Sequence, residues 1–247
     1  MKYTATDIAK LGTILGVYAH PDDECWTSGG ILAAACENGQ QVACITVTHG
    51  DAGQTTDETK WPQARLSEIR EHELSDSLAC LGKIEHHWLS YGDGALRDVP
   101  ESEPVEQIAE LIEQIKPDTI LTFGPDGLTG HSDHKMVGKW AELALRRTGR
   151  AVTILQVRET TEKYAACGKI LHDIENIYFA ALGRPVTIPA AQADVFFELP
   201  EELHRKKMAS IAAHHSQKDA TLANPRGRAA TVAYAKTEAF VKAYAQE

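Results

Sequence analysis

Short apolar runs and helical-period stripes alternate along the chain through residue 157. Ile14 to Tyr18, Gln41 to Thr48, Ile84 to Ser90, Thr119 to Phe123 and Val152 to Val157 read as buried strands. Between them the spacing predicts helices. The first is capped by Ser28 and runs through Ile31, Leu32 and Ala35 to Asn38-Gly39, and the second runs from Pro62 to Leu81, where Gly82 stops it. Val105, Ile108, Ile112 and Ile115 form a third stripe, and Val137, Trp140, Ala141 and Leu145 a fourth. Such alternation predicts right-handed βαβ units. The expected fold is therefore α/β and Rossmann-like, a mostly parallel twisted sheet with helices on both faces.

Beyond residue 157 the pattern weakens. Residues 158–190 show no clean period; Phe196 to Leu199 reads as a strand, and a helix runs from Pro200 to His214-His215. Leu222 to Gly227 reads as a loop, and the last fifteen residues as helical. With no convincing linker, residues 1–247 are expected to form one domain. Residues 1–157 would be its core, and residues 158–247 a carboxy-terminal elaboration supplying pocket walls.

Length and charge narrow the function. A chain of 247 residues buries a full core, and a net charge of -10 without a basic stripe argues against a nucleic-acid partner. No apolar run approaches the roughly 18 residues that would mark a membrane span. The amino terminus lacks the apolar core of a signal peptide. Five cysteines, with no Cys-x-x-Cys pair, read as reduced thiols of a cytoplasmic protein. Gly124 to Gly130 does not end as a phosphate loop does, and no Gly-x-Gly-x-x-Gly follows the first strand, which argues against nucleotide binding.

The densest chemistry is Ala19-His20-Pro21-Asp22-Asp23-Glu24, at the end of the first strand. Ligands of open α/β sheets bind at the carboxyl ends of the strands. Carboxylates and an imidazole crowded there stay poorly satisfied unless a cation or a substrate organises them. His20 and Asp23, three residues apart, are close enough to chelate one ion. A catalytic zinc usually takes three protein ligands and keeps a position for water. The third ligand is expected from His131-Ser132-Asp133-His134, after the fourth strand. A lone loop histidine would be unremarked, but two such motifs at two strand ends favour a metal site. Cys25 is a soft ligand or a small buried thiol.

Arg70 falls on the helix face of Leu66, Leu74, Ser77 and Leu81 and so needs an anion or a polar cavity. Glu73 is one partner, a pocket the other. Asp51 and Asp93 sit in loops after strands, where a carboxylate suits a sugar hydroxyl or merely a turn. His214 either approaches the site or serves a cap or the core. His72, His86, His87 and His204 read as structural or solvated.

Ala-His-Pro-Asp-Asp-Glu followed by Gly130-His131-Ser132-Asp133-His134 resembles the LmbE-like (PIG-L) deacetylases. Thr48 to Gly53, Arg70 to Leu74 ahead of Leu81-Gly82, and His214-His215-Ser216-Gln217 after Lys207 are similar to further motifs of that family. The resemblance implies a metal-dependent, usually zinc-dependent, hydrolase that removes acetyl groups from N-acetylglucosamine-type amides. It implies His20, Asp23 and His134 as metal ligands and Asp22 as general base. His131 would stabilise the oxyanion or help protonate the leaving amine, Asp133 would orient one histidine, and Arg70 would meet a substrate hydroxyl. Zn2+ is the expected ion, although Fe2+ or another divalent ion suits the same donors. The implied partner is a small N-acetylated sugar, and relatives frequently assemble, which leaves a homo-oligomer open. Two departures stand out: Ser132 where many relatives have proline, and Thr129 where some have a tyrosine, so that Tyr91 or Tyr178 would have to reach the oxyanion pocket. Two other readings stay open. One is an amidase acting on a larger acyl or thiol conjugate with the same site; the other is a non-catalytic Rossmann-type binding domain without metal.

Overall fold

The structure, a computed structural model, describes residues 2–179 and 184–243. Its ten strands are β1 (Lys2–Tyr3), β2 (Ile14–Tyr18), β3 (Val42–Thr48), β4 (Glu85–Tyr91), β5 (Thr119–Phe123), β6 (Thr153–Val157), β7 (Glu159–Thr160), β8 (Thr187–Ile188), β9 (Val195–Glu198) and β10 (Thr237–Lys242). Eight form one sheet, ordered β4-β3-β2-β5-β6-β10-β9-β1, while β7 and β8 pair separately. Strands β2 to β6 run parallel, and β10 lies antiparallel between β6 and β9.

The helices are α1 (Asp23–Glu37), α2 (Leu66–Leu81), α3 (Ser102–Ile115), the single turn α4 (Gly127–Gly130), α5 (Ser132–Thr148), the short α6 (Thr161–Lys163), α7 (Lys169–Glu175), α8 (Glu201–Ala212), α9 (His215–Ala223) and α10 (Pro225–Tyr234). Helix α1 packs with α2 and α8, and α3 packs with α5. Right-handed crossovers place these two groups on opposite faces of a parallel sheet. Strands β2, β3 and β5 are buried throughout, as expected of strands covered on both sides.

The order reverses between β2 and β5, which lie side by side with Gly16 opposite Leu121. Such a switch point opens a crevice beyond the strand ends. The loop after β2 carries His20, and the first turn of α5, reached by the segment after β5, carries His134, so two motifs more than a hundred residues apart in sequence emerge as neighbours.

Three expectations are corrected. The first helix begins at Asp23 rather than Ser28, so the acidic motif supplies its first turn. The final segment is not all helical: Thr237–Lys242 is a strand, because its backbone completes the ladder between β6 and β9. Residues 244–247 of that expectation lie outside the described residues. The stretch read as a loop from Leu222 ends α9 and begins α10, with Asn224 as the pivot. Its side chain accepts from the backbone N–H groups of Arg226 and Gly227, and Pro225 fills the first helical position.

Candidate active site

The loop after β2 turns sharply. Asp22 has φ of +99°, a left-handed conformation that a side chain with a Cβ rarely adopts and that clusters at functional sites. Around it the loop is held from several directions. Asp23 Oδ2 accepts from the backbone N–H of Ala19 at 3.1 Å and of His20 at 2.8 Å. Glu24 Oε2 accepts from the backbone N–H of Asp22 at 3.1 Å, and its Oε1 accepts from Ser77 Oγ at 3.0 Å. Arg70, 4 % exposed, donates Nη1 to the carbonyl of Gly50 at 2.9 Å and Nη2 to the carbonyl of Pro21. Gly50 sits at φ of +70°, and a Cβ there would overlap the guanidinium. Arg70 therefore ties the loops after β2 and β3 together.

Three donors converge. His134 Nε2 lies 3.2 Å from Asp23 Oδ1 and 3.3 Å from His20 Nδ1, and His20 Nδ1 lies 3.6 Å from Asp23 Oδ2. The outer nitrogens of both rings are engaged elsewhere. His20 Nε2 faces Asp93 Oδ1 at 3.0 Å and Asp133 Oδ2 at 3.4 Å. His134 Nδ1 donates to the carbonyl of Gly127 at 3.0 Å. With those protons fixed on the outer atoms, the inner nitrogens present lone pairs to the shared focus. This is how imidazoles are oriented for metals. The donor set fits a divalent cation.

Electrostatics agree with a place for positive charge. Burial disfavours a charged His20, yet the carboxylates of Asp133, Asp23 and Asp93 outweigh it and hold the ring well above its ordinary pKa. Burial opposes ionisation of Asp23, but His134 and His20 hold its carboxyl well below the usual range. Asp133 is fully buried and also accepts from the backbone N–H of Gly94 at 2.8 Å.

His131 caps α5: its Nδ1 accepts from the backbone N–H of Asp133 at 3.2 Å. In the neutral ring the proton then sits on Nε2. Burial, with His20 and His134 close by, pushes its pKa down to about 4, so neutral is the form at physiological pH. Ring nitrogens of His20, His131 and His134 lie within 4.8 Å of one another, which makes a three-imidazole set the rival to the set containing Asp23. The shorter distances favour Asp23.

Two cavities meet at Asp22, Asp23 and His134. One, of about 260 Å³, is polar and is also lined by His20, Arg70, Asp93, His131 and Gln217. The other, of about 130 Å³, reaches Trp26, Leu128, Leu171, Ile177, Lys218 and Tyr234. The carboxylate of Asp22 stands between two cations, 3.6 Å from Arg70 Nη2 and 3.7 Å from Lys218 Nζ.

Several residues differ from their sequence reading. Asp93 is spent on His20 and on the backbone N–H of Ala52, 2.9 Å away, and not on an open hydroxyl position. Asp51 is exposed and lines neither cavity. Glu73 does not pair with Arg70; it accepts from Ser216 N at 2.6 Å and Oγ at 2.8 Å, joining α2 to α9. Tyr91 Oη donates to Gln107 and Tyr178 Oη to Glu159, so neither tyrosine lines the polar cavity with His131. His214 is fully buried, with Nε2 3.4 Å from Glu24 Oε1, and supports the acidic loop from below. Cys25 is a buried thiol whose Sγ donates to the carbonyl of Asp22. Lys218 and Trp26 went unread in the sequence. Lys218 directly follows the His-His-Ser-Gln motif, which is the one local signal that pointed to it.

A crevice at the switch point of a doubly wound sheet, holding a His-Asp-His focus and an adjacent acid, marks an α/β protein with a candidate metal site at its strand ends. Comparison with known proteins is specific. A profile of the GlcNAc-PI de-N-acetylase family, PIG-L, matches residues 15–145. The 1D-myo-inositol 2-acetamido-2-deoxy-alpha-D-glucopyranoside deacetylase of Corynebacterium glutamicum is 30 % identical over 223 residues, 83 % of this chain and 74 % of that protein. Its counterpart from Saccharomonospora viridis is 28 % identical over 230 residues, 83 % of this chain and 84 % of that protein. The chain belongs to the PIG-L (LmbE-like) family.

Solved structures share the fold. The N,N'-diacetylchitobiose deacetylase of Pyrococcus horikoshii aligns with a TM-score of 0.64 at 20 % identity, covering 94 % of this chain and 83 % of that one. The 4-carboxy-2-hydroxymuconate hydratase of Pseudomonas putida aligns at 0.65 with 14 % identity, covering 96 % and 98 %. A hydratase on the same fold shows that the architecture alone does not select the reaction.

Proposed function

We propose that this protein is a divalent-metal-dependent N-deacetylase acting on a small N-acetylated amino sugar or glycoside, with zinc as the ion. The observation that carries the reading is the convergence of His20 Nδ1, Asp23 and His134 Nε2 within 3.2–3.6 Å, beside an acid that is not part of the focus. When bound there, a divalent ion polarises a carbonyl and lowers the pKa of water from about 15.7 to about 7.

The chain's own residues do the rest. His20, Asp23 and His134 hold the ion, and Asp93 and Asp133 keep His20 in the ligating tautomer. Asp22 takes the proton of the attacking water and returns it to the departing nitrogen, since an amine anion is a poor leaving group. Neutral His131 donates from Nε2 to the oxygen on which negative charge develops. The polar cavity, with Arg70 and Gln217 on its wall, receives the sugar. Similarity to deacetylases of N-acetylated glucosaminyl-inositols supports the substrate class. Five free cysteines support a cytoplasmic setting, and no helix of the described residues is long and apolar enough to cross a membrane.

The direct test is hydrolysis of N-acetylglucosamine and a panel of its glycosides by zinc-loaded protein, with released acetate quantified. Acetate released from at least one member, abolished by chelator and restored by zinc, is the expected result. No release from any member would refute the reading.

A further inference from the structure

We propose that the 130 Å³ cavity behind Asp22, Asp23 and His134 is an acyl subsite, and that the enzyme hydrolyses amides of acyl chains longer than acetyl, of about four carbons. The inference rests on the deacetylase reading and extends it to the acid side of the scissile bond.

Asp22, Asp23 and His134 line both cavities, so an amide whose carbonyl meets that wall sends its two substituents in different directions. The larger cavity is flanked by Arg70, His131 and Gln217, groups that suit hydroxyls. The smaller is flanked by Trp26, Leu128, Leu171, Ile177 and Tyr234, groups that suit hydrocarbon. An amino sugar fits the first and an alkyl chain the second.

Charge does not disqualify the smaller cavity. Lys218 and Glu175 lie on its wall but pair with each other, Nζ to Oε2, at 2.8 Å. The Lys218 ammonium also stands 5.1 Å from the centre of the Trp26 ring. The two charges offset each other, although Lys218 also reaches Asp22 at 3.7 Å and Glu175 Oε1 is buried without a hydrogen-bond partner.

Size decides between acetyl and something longer. A methyl group is about as large as a water molecule, whose share of liquid volume is about 30 Å³, whereas an apolar cavity of about 150 Å³ takes up benzene. A cavity of about 130 Å³ leaves most of its volume unfilled by an acetyl methyl. Each methylene buried there is worth roughly a factor of four in affinity. Leu171, 1 % exposed and packed with Cys167, Ala230 and Tyr234, is the wall residue whose size is varied to test the space left for the chain.

Two measurements on zinc-loaded full-length protein test this. The first is calorimetric binding of acetate, butyrate and hexanoate, the product carboxylates, which needs no turnover. Butyrate should bind at least tenfold more tightly than acetate. Leu171→Phe should shrink that ratio at least fivefold, and Leu171→Ala should shift the preference toward hexanoate, so a variant that fails to fold leaves its opposite to report. The second compares kcat/KM for N-acetyl and N-butyryl forms of the same glucosamine derivative, with the butyryl form expected to match or exceed the acetyl form. Affinity that is flat or falls with chain length, or ratios untouched by either Leu171 variant, would overturn the acyl subsite. Tight butyrate binding with no turnover of either amide would overturn the deacetylase reading and leave the subsite standing. Turnover of the acetyl form alone would do the reverse.

Discussion

The two cavities that share Asp22, Asp23 and His134 are built by different kinds of sequence. The polar one is walled by residues of the segments that follow the strands, His20, Asp93 and His131 among them, with Arg70 reaching in from α2. The apolar one takes Leu171, Ile177, Lys218 and Tyr234 from the part of the chain beyond β6. The first is a local code: short motifs held by backbone hydrogen bonds, in which residue type and spacing state the chemistry. The second is assembled by tertiary packing of segments that carry no motif. The proposed chemistry therefore lies where spacing is readable, and the proposed acyl subsite where it is not.

Asp22→Ala tests the polar side most severely. Loss of a general acid–base group typically costs about 10²–10⁴-fold. We expect kcat to fall by that range while zinc content, measured by atomic absorption, stays near one per chain. Retained turnover would remove Asp22 from the chemistry.

The junction between the two regions is tested next. Lys207 and Glu238 are fully buried and 2.6 Å apart; Glu238 also accepts from the backbone N–H groups of Gly30 and Ile31, and Lys207 donates to the carbonyl of Trp26. They bind α8 and β10 to the middle of α1, the helix whose first turn carries Asp23. Lys207→Met leaves a buried carboxylate without its partner, and chemical denaturation should show a loss of about 3–5 kcal/mol. A change below 1 kcal/mol would mean that the two regions are joined by other contacts.

Asp93→Asn sharpens the division of labour on the polar side. If Asp93 holds His20 in its ligating tautomer, zinc affinity should fall by about 10–100-fold. A raised KM with unchanged zinc affinity would return Asp93 to the sugar-binding role that its loop position first suggested.

The smallest effect concerns the far end of the sheet. His86 lies against Trp88 and bonds to Thr46 Oγ1, and burial with His87 and His49 nearby pushes its pKa down to about 4. Its unfolded value is about 6.5. As pH falls from 6.5 to 4 the unfolded chain takes the proton first, so stability present above that window is lost through it. His86→Gln should flatten the dependence of unfolding free energy on pH by up to about one proton. An unchanged slope would show that His86 does not carry it.

Much of the fold was legible because β2, β3 and β5 are short buried runs rich in apolar residues and α3 and α5 carry clear stripes. The active-site pairing was legible for a related reason: the motifs of His20 and His134 each follow a readable strand, and the topology of such sheets brings those strand ends together. The errors have physical causes. Asp93 and Asp51 look alike in sequence, both carboxylates in loops, but burial separates them, and burial at a loop is a property of its neighbours. Thr237 to Lys242 was misread because its strand character comes from two partners already in place. Trp26 gave no warning and Lys218 only its place after the His-His-Ser-Gln motif, since an aromatic ring near a lysine is unremarkable until Glu175 and Asp22 converge on the same ammonium.

The central claim is that two distant loops close around one divalent ion through His20, Asp23 and His134. Equilibrium zinc titration of the metal-stripped protein and its single alanine variants tests it most directly. The account predicts one site per chain, lost or weakened at least a hundredfold in His20→Ala, Asp23→Ala and His134→Ala, and kept within tenfold in Asp22→Ala and His131→Ala. Unchanged affinity in His134→Ala, or loss in His131→Ala with retention in Asp23→Ala, would contradict it.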